Sequence, residues 1–271
     1  YSGNFVLPVK SGASYITIQT DIAATGALAP GVRLSPAAAA SLARIKSPNT
    51  TPALKTQASS HHWRLQLLQF GPNATGFGDI IEIGDGSSAQ NSLSIVPYSF
   101  VLDRLYVYGD PLMGQKRGIA INAKDVTVTN STIRDIKAVG QDSQALGAYN
   151  GPGPFWIENN YLEASGENFM LGGADPSITD LIPGNVTFRR NYVTKPVSWR
   201  NPILATPANV AVSGGSSGSL PAGTFSYQVV ARRAAGPSSI AQSTPSPAKT
   251  VAVRQSGQVK ITWSAVSTAS E

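Results

Sequence analysis

The chain has no cysteine, which excludes a disulfide framework and a thiolate metal centre. It has two histidines in 271 residues, and neither has the spaced partner of a helical metal motif. Charged residues make up 13% of the sequence, too few for a charged, solvated tail or linker. No apolar run approaches the roughly 18 residues that crossing a bilayer as a helix requires. Acidic residues are the scarcer sign, giving a net charge of +6 and a pI near 9.6. The basic excess is dispersed in short pairs such as Lys116-Arg117, Arg189-Arg190 and Arg232-Arg233. A dispersed excess lacks the clustered stripe of a nucleic-acid site, so no nucleic-acid partner is expected.

What the chain has in quantity is glycine (26) and proline (19), the punctuation of turn-rich β structure. Together with polar, uncharged loops, this profile suits a secreted or cell-surface protein. One short phrase recurs through it. Its copies are Phe100–Val107, Val126–Ile133, Phe155–Leu162 and Val186–Val193, with a weaker one at Trp63–Phe70. They begin about 26 to 37 residues apart, an irregular period that fits a solenoid with loops of variable length. Each copy opens with alternating apolar and polar residues, the period of a strand with one buried face. Ser131, Asn160 and Asn191 then share one slot, where short polar side chains suit a tight bend and can bond along the stack. Leu102, Val128, Ile157 and Phe188 share another and should form one interior column. A second apolar patch follows most copies, so two or three short strands per coil are expected. An antiparallel sandwich is the competing arrangement.

Asn4–Val9 and Tyr15–Thr20 read as strands of an early coil. Ser35-Pro36 followed by an alanine-rich run to Arg44 predicts a short helix with Ser35 as N-cap. His61 and His62 precede the Trp63 strand, and on a regular strand neighbours point to opposite faces, which forbids a simple chelating pair. Beyond about Pro202 the texture changes. Asn209–Val212, Gly223–Ala231, Thr250–Arg254 and Val259–Trp263 predict strands separated by turns such as Gly214–Ser219. Two domains are expected: a right-handed parallel β-helix over 1–202 and an antiparallel β-sandwich over 203–271, an all-β chain throughout. Tyr1 opens directly on a strand pattern and nothing follows the last strand to close a sheet. The sequence therefore reads as a fragment of a longer protein, with both domains incomplete.

Leu102–Pro111, Gly140–Ala145, Asn150–Phe155, Asn159–Asn168 and Gly172–Pro176 resemble one family of bacterial right-handed parallel β-helix proteins of pectate-lyase-like fold, mostly of unassigned function. The resemblance covers nearly all of Tyr1–Trp199. In that family further coils follow the segment resembling Lys195–Arg200. Here Thr224–Ala231 and Lys260–Trp263 instead resemble a fibronectin type III or related immunoglobulin-like module, which spaces, displays or binds. Relatives of this fold that act on polysaccharide hold it in a groove outside the solenoid. They often use Ca²⁺ on carboxylates, with an arginine or lysine as base. The resemblance thus implies a polysaccharide partner and makes calcium a candidate cofactor.

The loops that follow the repeated phrase carry the candidate chemistry. Asp142, Glu163, Glu167 and Arg117 are the candidate catalytic groups, as paired carboxylates and a cation that adjacent coils would bring together. Asp110, Gln144, Trp156, Tyr161 and Arg134 are the candidate substrate-binding residues, the aromatic ones by stacking on sugar rings. Ser143 has no histidine–acid pair to activate it, which argues against nucleophilic hydrolysis. Three readings follow: a polysaccharide-binding surface protein, a lyase or glycosidase, and a structural or adhesive scaffold contacting neighbouring chains. The same charged residues would serve the last reading as ion-pair ladders.

Overall fold

Every copy of the repeated phrase bends in its middle. The computed structural model describes residues 1–21, 28–138, 140–196, 199, 204–234, 240–267 and 269–270. At the bend one residue takes the left-handed conformation: Leu67, Arg104, Asn130, Asn159 and Arg190, with φ of 50–56°. The two halves of each phrase thereby become strands on two different faces. In β5 (His61–Phe70) and β7 (Tyr98–Tyr108) the strand continues through the bend. Later coils break there into β9 (Lys124–Thr129) and β10 (Thr132–Ile136), β12 (Phe155–Glu158) and β13 (Tyr161–Ala164), and β15 (Val186–Arg189) and β16 (Tyr192–Thr194). β2 (Ile16–Gln19) and β3 (Ala43–Ile45) play the same parts below β5. A third face is built from β1 (Phe5–Leu7), β4 (Leu54–Thr56), β6 (Asp79–Ile83), β8 (Arg117–Ile121), β11 (Gln144–Ala148) and β14 (Glu167–Leu171), stacked in that order.

All pairings in these stacks are parallel, and consecutive coils are neighbours. The chain is therefore a three-faced solenoid over Tyr1–Lys195, within an all-β protein with 46% strand and 4% helix. Because β7 belongs to both of the first two faces, the path β15-β12-β9-β7-β10-β13-β16 reads as one curled sheet.

Leu65, Leu102, Val128, Ile157 and Phe188 are successive register partners, so the predicted column exists. The first four are fully buried. Phe188 departs from the expectation: it is 40% exposed, because β15 has a neighbour on one side only among the described strands. Each fully buried member contributes about 1.5–3 kcal/mol of transfer free energy.

The expected row at the bend is also present. The Leu105 N–H donates to Ser131 Oγ (2.9 Å), the Ser131 N–H to Asn160 Oδ1 (2.9 Å), and the Asn160 N–H to Asn191 Oδ1 (2.9 Å). The amide nitrogens of the buried Asn160 and the half-buried Asn191 donate to Val128 O and Ile157 O, so both side chains are satisfied.

A second left-handed row, His62, Ser99, Asp125 and Asn185, marks the entry into the first face. It overturns the strand-parity argument about the histidines. With His62 at φ 57° the two rings turn toward each other, and their Nδ1 atoms lie 2.9 Å apart.

The predicted helix is shorter than its alanine run. α1 covers Pro36–Ala39, with Ser35 Oγ accepting from the Ala38 N–H at 3.2 Å. It stops because Ala43–Ile45 is taken as a strand by Leu68–Phe70. The segment around α1 lies across the second face. Leu34, Ala39 and Leu42 pack on Leu67 and Tyr106, and the Leu34 N–H donates to Asn130 O.

Pro196–Glu271 is a separate compact unit. Its strands pair antiparallel in nested order: β17 (Ala211–Leu220) with β22 (Gly257–Thr262), β18 (Gly223–Tyr227) with β21 (Lys249–Val253), and β19 (Arg232–Ala234) with β20 (Ile240–Gln242). Gly214–Ser219, predicted as a turn, lies inside β17. Its small core is Leu204 and Ala231 with Val266 and Ala269. Arg200 and Pro202 lie outside the described residues.

Candidate functional site

The third face carries a polar row that runs from coil to coil. Asp79, Arg117, Gln144 and Glu167 are register partners on β6, β8, β11 and β14, so they form one row across four coils. Arg117 donates to Asp79 Oδ1 (3.1 Å) and to Gln144 Oε1 (3.0 Å). The Gln144 amide nitrogen donates in turn to Asp142 Oδ2 (2.7 Å) and Glu167 Oε2 (3.1 Å). Gln144 is buried and acts as the hub, while Asp142 is exposed.

A second row runs beside the first: Lys55, Glu82, Ala120, Gly147 and Met170. Ala120 and Gly147 give it a floor with almost no side chain. A Cβ added at Gly147 would lie 3.3 Å from Arg117 Nε, so the guanidinium leans over that floor. On the other flank the Tyr149 hydroxyl reaches back to Gly86, where an added Cβ would fall 2.0 Å from it. Ala120 and Gly147 are both buried, so this trough is covered by its flanking side chains, with the half-buried Glu82 at its lower end.

Burial sets the electrostatics of this trough. It pushes the Asp79 carboxyl above the usual range, against the pull of Arg117. Glu82 is pushed up to about 7 by burial first, then by the charges of Asp79 and Asp85, with Lys55 and Arg117 opposing. Burial also raises the Tyr149 hydroxyl. A carboxyl that exchanges its proton near neutrality, beside an arginine and a tyrosine, can act as acid or base.

The structure thus brings Arg117, Asp142, Gln144 and Glu167 together and separates them from the other predicted residues. Glu163 lies buried on the second face, where its carboxylate accepts from the Asp135 N–H (3.0 Å) and from the Tyr161 hydroxyl. Arg134 is bound to Asp135 at 2.9 Å, with Glu163 at 3.9 Å. The raised Tyr161 hydroxyl, held up first by burial and then by Glu163, belongs to the same group. Trp156 is on the first face, 39% exposed, with Arg189 over its ring at 4.6 Å. The Asp110 carboxylate caps its own loop by accepting from the Leu112 and Met113 N–H groups, both at 2.8 Å. No group of three or more His, Cys, Asp or Glu among the described residues gathers as metal ligands.

Sequence reasoning missed Asp79, Glu82 and the place of Tyr149 in this group. The signal was present in Asp79–Ile83, where the two acids are the only polar residues of a strand otherwise made of isoleucine.

The chain matches no protein-family model, no curated protein and no solved structure. The function must be read from the site.

Proposed function

We propose that the solenoid binds a polysaccharide lengthwise along the polar row of the third face, as a secreted or cell-surface protein. The observation that carries this reading is the continuous polar row across four coils. A linear polymer laid across coils about 4.8 Å apart would meet a donor or acceptor at each step. Arg117, Asp142 and Glu167 offer both kinds to sugar hydroxyls, with the buried Gln144 holding them in place. Asp142 and Glu167 place two carboxylates side by side on the last two coils of the row, which favours a neutral glycan over a polyanion there. The assignment of the solenoid to the right-handed pectate-lyase-like family belongs to this proposal. So does that of residues 203–271 to a fibronectin type III-like sandwich on a larger surface protein.

The test is affinity electrophoresis or calorimetry against a panel of neutral and acidic polysaccharides. Gly147→Trp displaces the Arg117 side chain that lies over it, and Arg117→Ala removes the central donor of the row. Both should lose binding while Trp156→Ala keeps it. Binding that survives both changes would place the ligand elsewhere and leave the scaffold reading.

A glycosidase or lyase on the same face is the second reading, favoured by the Glu82 carboxyl that titrates near neutrality. Glu82→Gln should then abolish release of new sugar ends while leaving binding intact. No release by the parent protein, on glycans it binds, would remove this reading and keep the first.

A further inference from the structure

We propose that His61 and His62 form a two-nitrogen chelate for a divalent late-transition metal ion, copper(II) foremost, at the entrance to the first face. The pair stands apart from the trough and does not depend on the polysaccharide reading. Its basis is the bite of the two rings. Their Nδ1 atoms are 2.9 Å apart. Metal–imidazole bonds are about 2.0–2.1 Å long, so two such bonds at a right angle separate their nitrogens by about 2.9 Å, and at a tetrahedral angle by about 3.3 Å. The observed spacing matches the right angle of square-planar or octahedral copper(II) and nickel(II).

The backbone fixes that bite. Left-handed residues recur at this corner in Ser99, Asp125 and Asn185, so the turn at His62 is architectural and is present whether or not metal is bound. At the same step the next coils place Tyr98-Ser99 and Lys124-Asp125, and only this coil supplies two imidazoles. Aromatic walls hold the rings. His61 stacks on Tyr98 at 4.8 Å, and His62 meets the rings of Tyr15 and Tyr98 edge-on at 5.2 and 5.6 Å. Lys10 is the nearby cation, and Arg64 lies over Tyr15 at 5.4 Å. Without metal, one Nδ1–H donates to the other ring. On binding the donor ring passes to its other neutral tautomer, its proton moving through solvent from Nδ1 to Nε2, so that both rings carry Nε2–H and both Nδ1 lone pairs are free for the ion. Two protein ligands leave the remaining positions open to water or to a ligand group.

The chain has no other histidine and no cysteine, so the assignment is clean. Copper(II) is titrated into the full chain at neutral pH, with affinity read by calorimetry and ligation by electron paramagnetic resonance. One equivalent should bind with the hyperfine pattern of two imidazole nitrogens. His61→Gln and His62→Asn, the latter retaining a residue that tolerates the left-handed turn, should each weaken binding about a hundredfold, as expected when a chelate loses one arm. Thermal midpoints of both variants report the fold. Should either variant unfold, the nitrogen count in the parent protein still decides. A spectrum with one imidazole or none, or an affinity unchanged in a folded single variant, overturns the proposal and leaves an imidazole–imidazole hydrogen bond.

Discussion

Asn160 carries two kinds of bond at once, and its removal shows what a side chain in a bend is for. Its Oδ1 accepts the Ser131 N–H and its Nδ2 donates to Val128 O, both buried. Asn160→Ala leaves those groups unpaired and should cost about 1–3 kcal/mol for each, measured by denaturant unfolding. Leu102→Ala, at a fully buried column position, should cost about 2–5 kcal/mol through its cavity. Glu82 gives the opposite sign. Its folded pKa is raised to about 7 from 4.5, so the folded state holds the proton more tightly than the unfolded chain. Its contribution to stability is present below pH 4.5 and is lost as pH rises toward 7. Glu82→Gln should flatten that loss, a comparison made by unfolding the two proteins across this range. The bend asparagines and the column were legible because the repeat aligns them in the sequence. Glu82 was not, because its chemistry comes from burial and from neighbours on other coils.

At the scale of elements, local propensity and tertiary pairing part company around α1. The alanine run predicted helix as far as Arg44, yet Ala43–Ile45 pairs with Leu68–Phe70. A strand partner some 25 residues away is invisible to local pattern, and so is the placing of this segment over the second face. Leu34 is the anchor: it is buried, its N–H donates to Asn130 O, and its carbonyl accepts from Thr132 Oγ1 at 2.6 Å. Leu34→Ala should speed tryptic cleavage at Arg33, read by mass spectrometry, while the coils beneath stay protected from hydrogen exchange. Gly214–Ser219 misled in the other direction. Glycine and serine spell a turn, but β22 pairs with Gly214 and Gly215, and the ladder resumes at Leu220 after a register shift.

For the whole molecule, the strand stacking of the solenoid links consecutive coils, so its stability is a sum of coil interfaces. Exchange protection should therefore be greatest around Leu102, Val128 and Ile157. It should fall toward Phe5 and Val6 at one end and Phe188 and Tyr192 at the other, where apolar side chains are about half exposed. The solenoid itself was readable because one phrase repeats with fixed internal offsets. The gathering of polar groups on its third face was only partly so. Gln144, Arg117, Asp142 and Glu167 were named, but loop lengths hid that Glu163 would lie on a different face from them. The ladder of side chains at the bend has one further consequence. From Leu105 to Asn191 each bend is capped by the coil after it, in the same sense at every step. A duplicated coil inserted head to tail would inherit both halves of that bond, whereas a coil in any other orientation would inherit neither. Lengthening by tandem duplication is thus open to such a gene without any other residue changing.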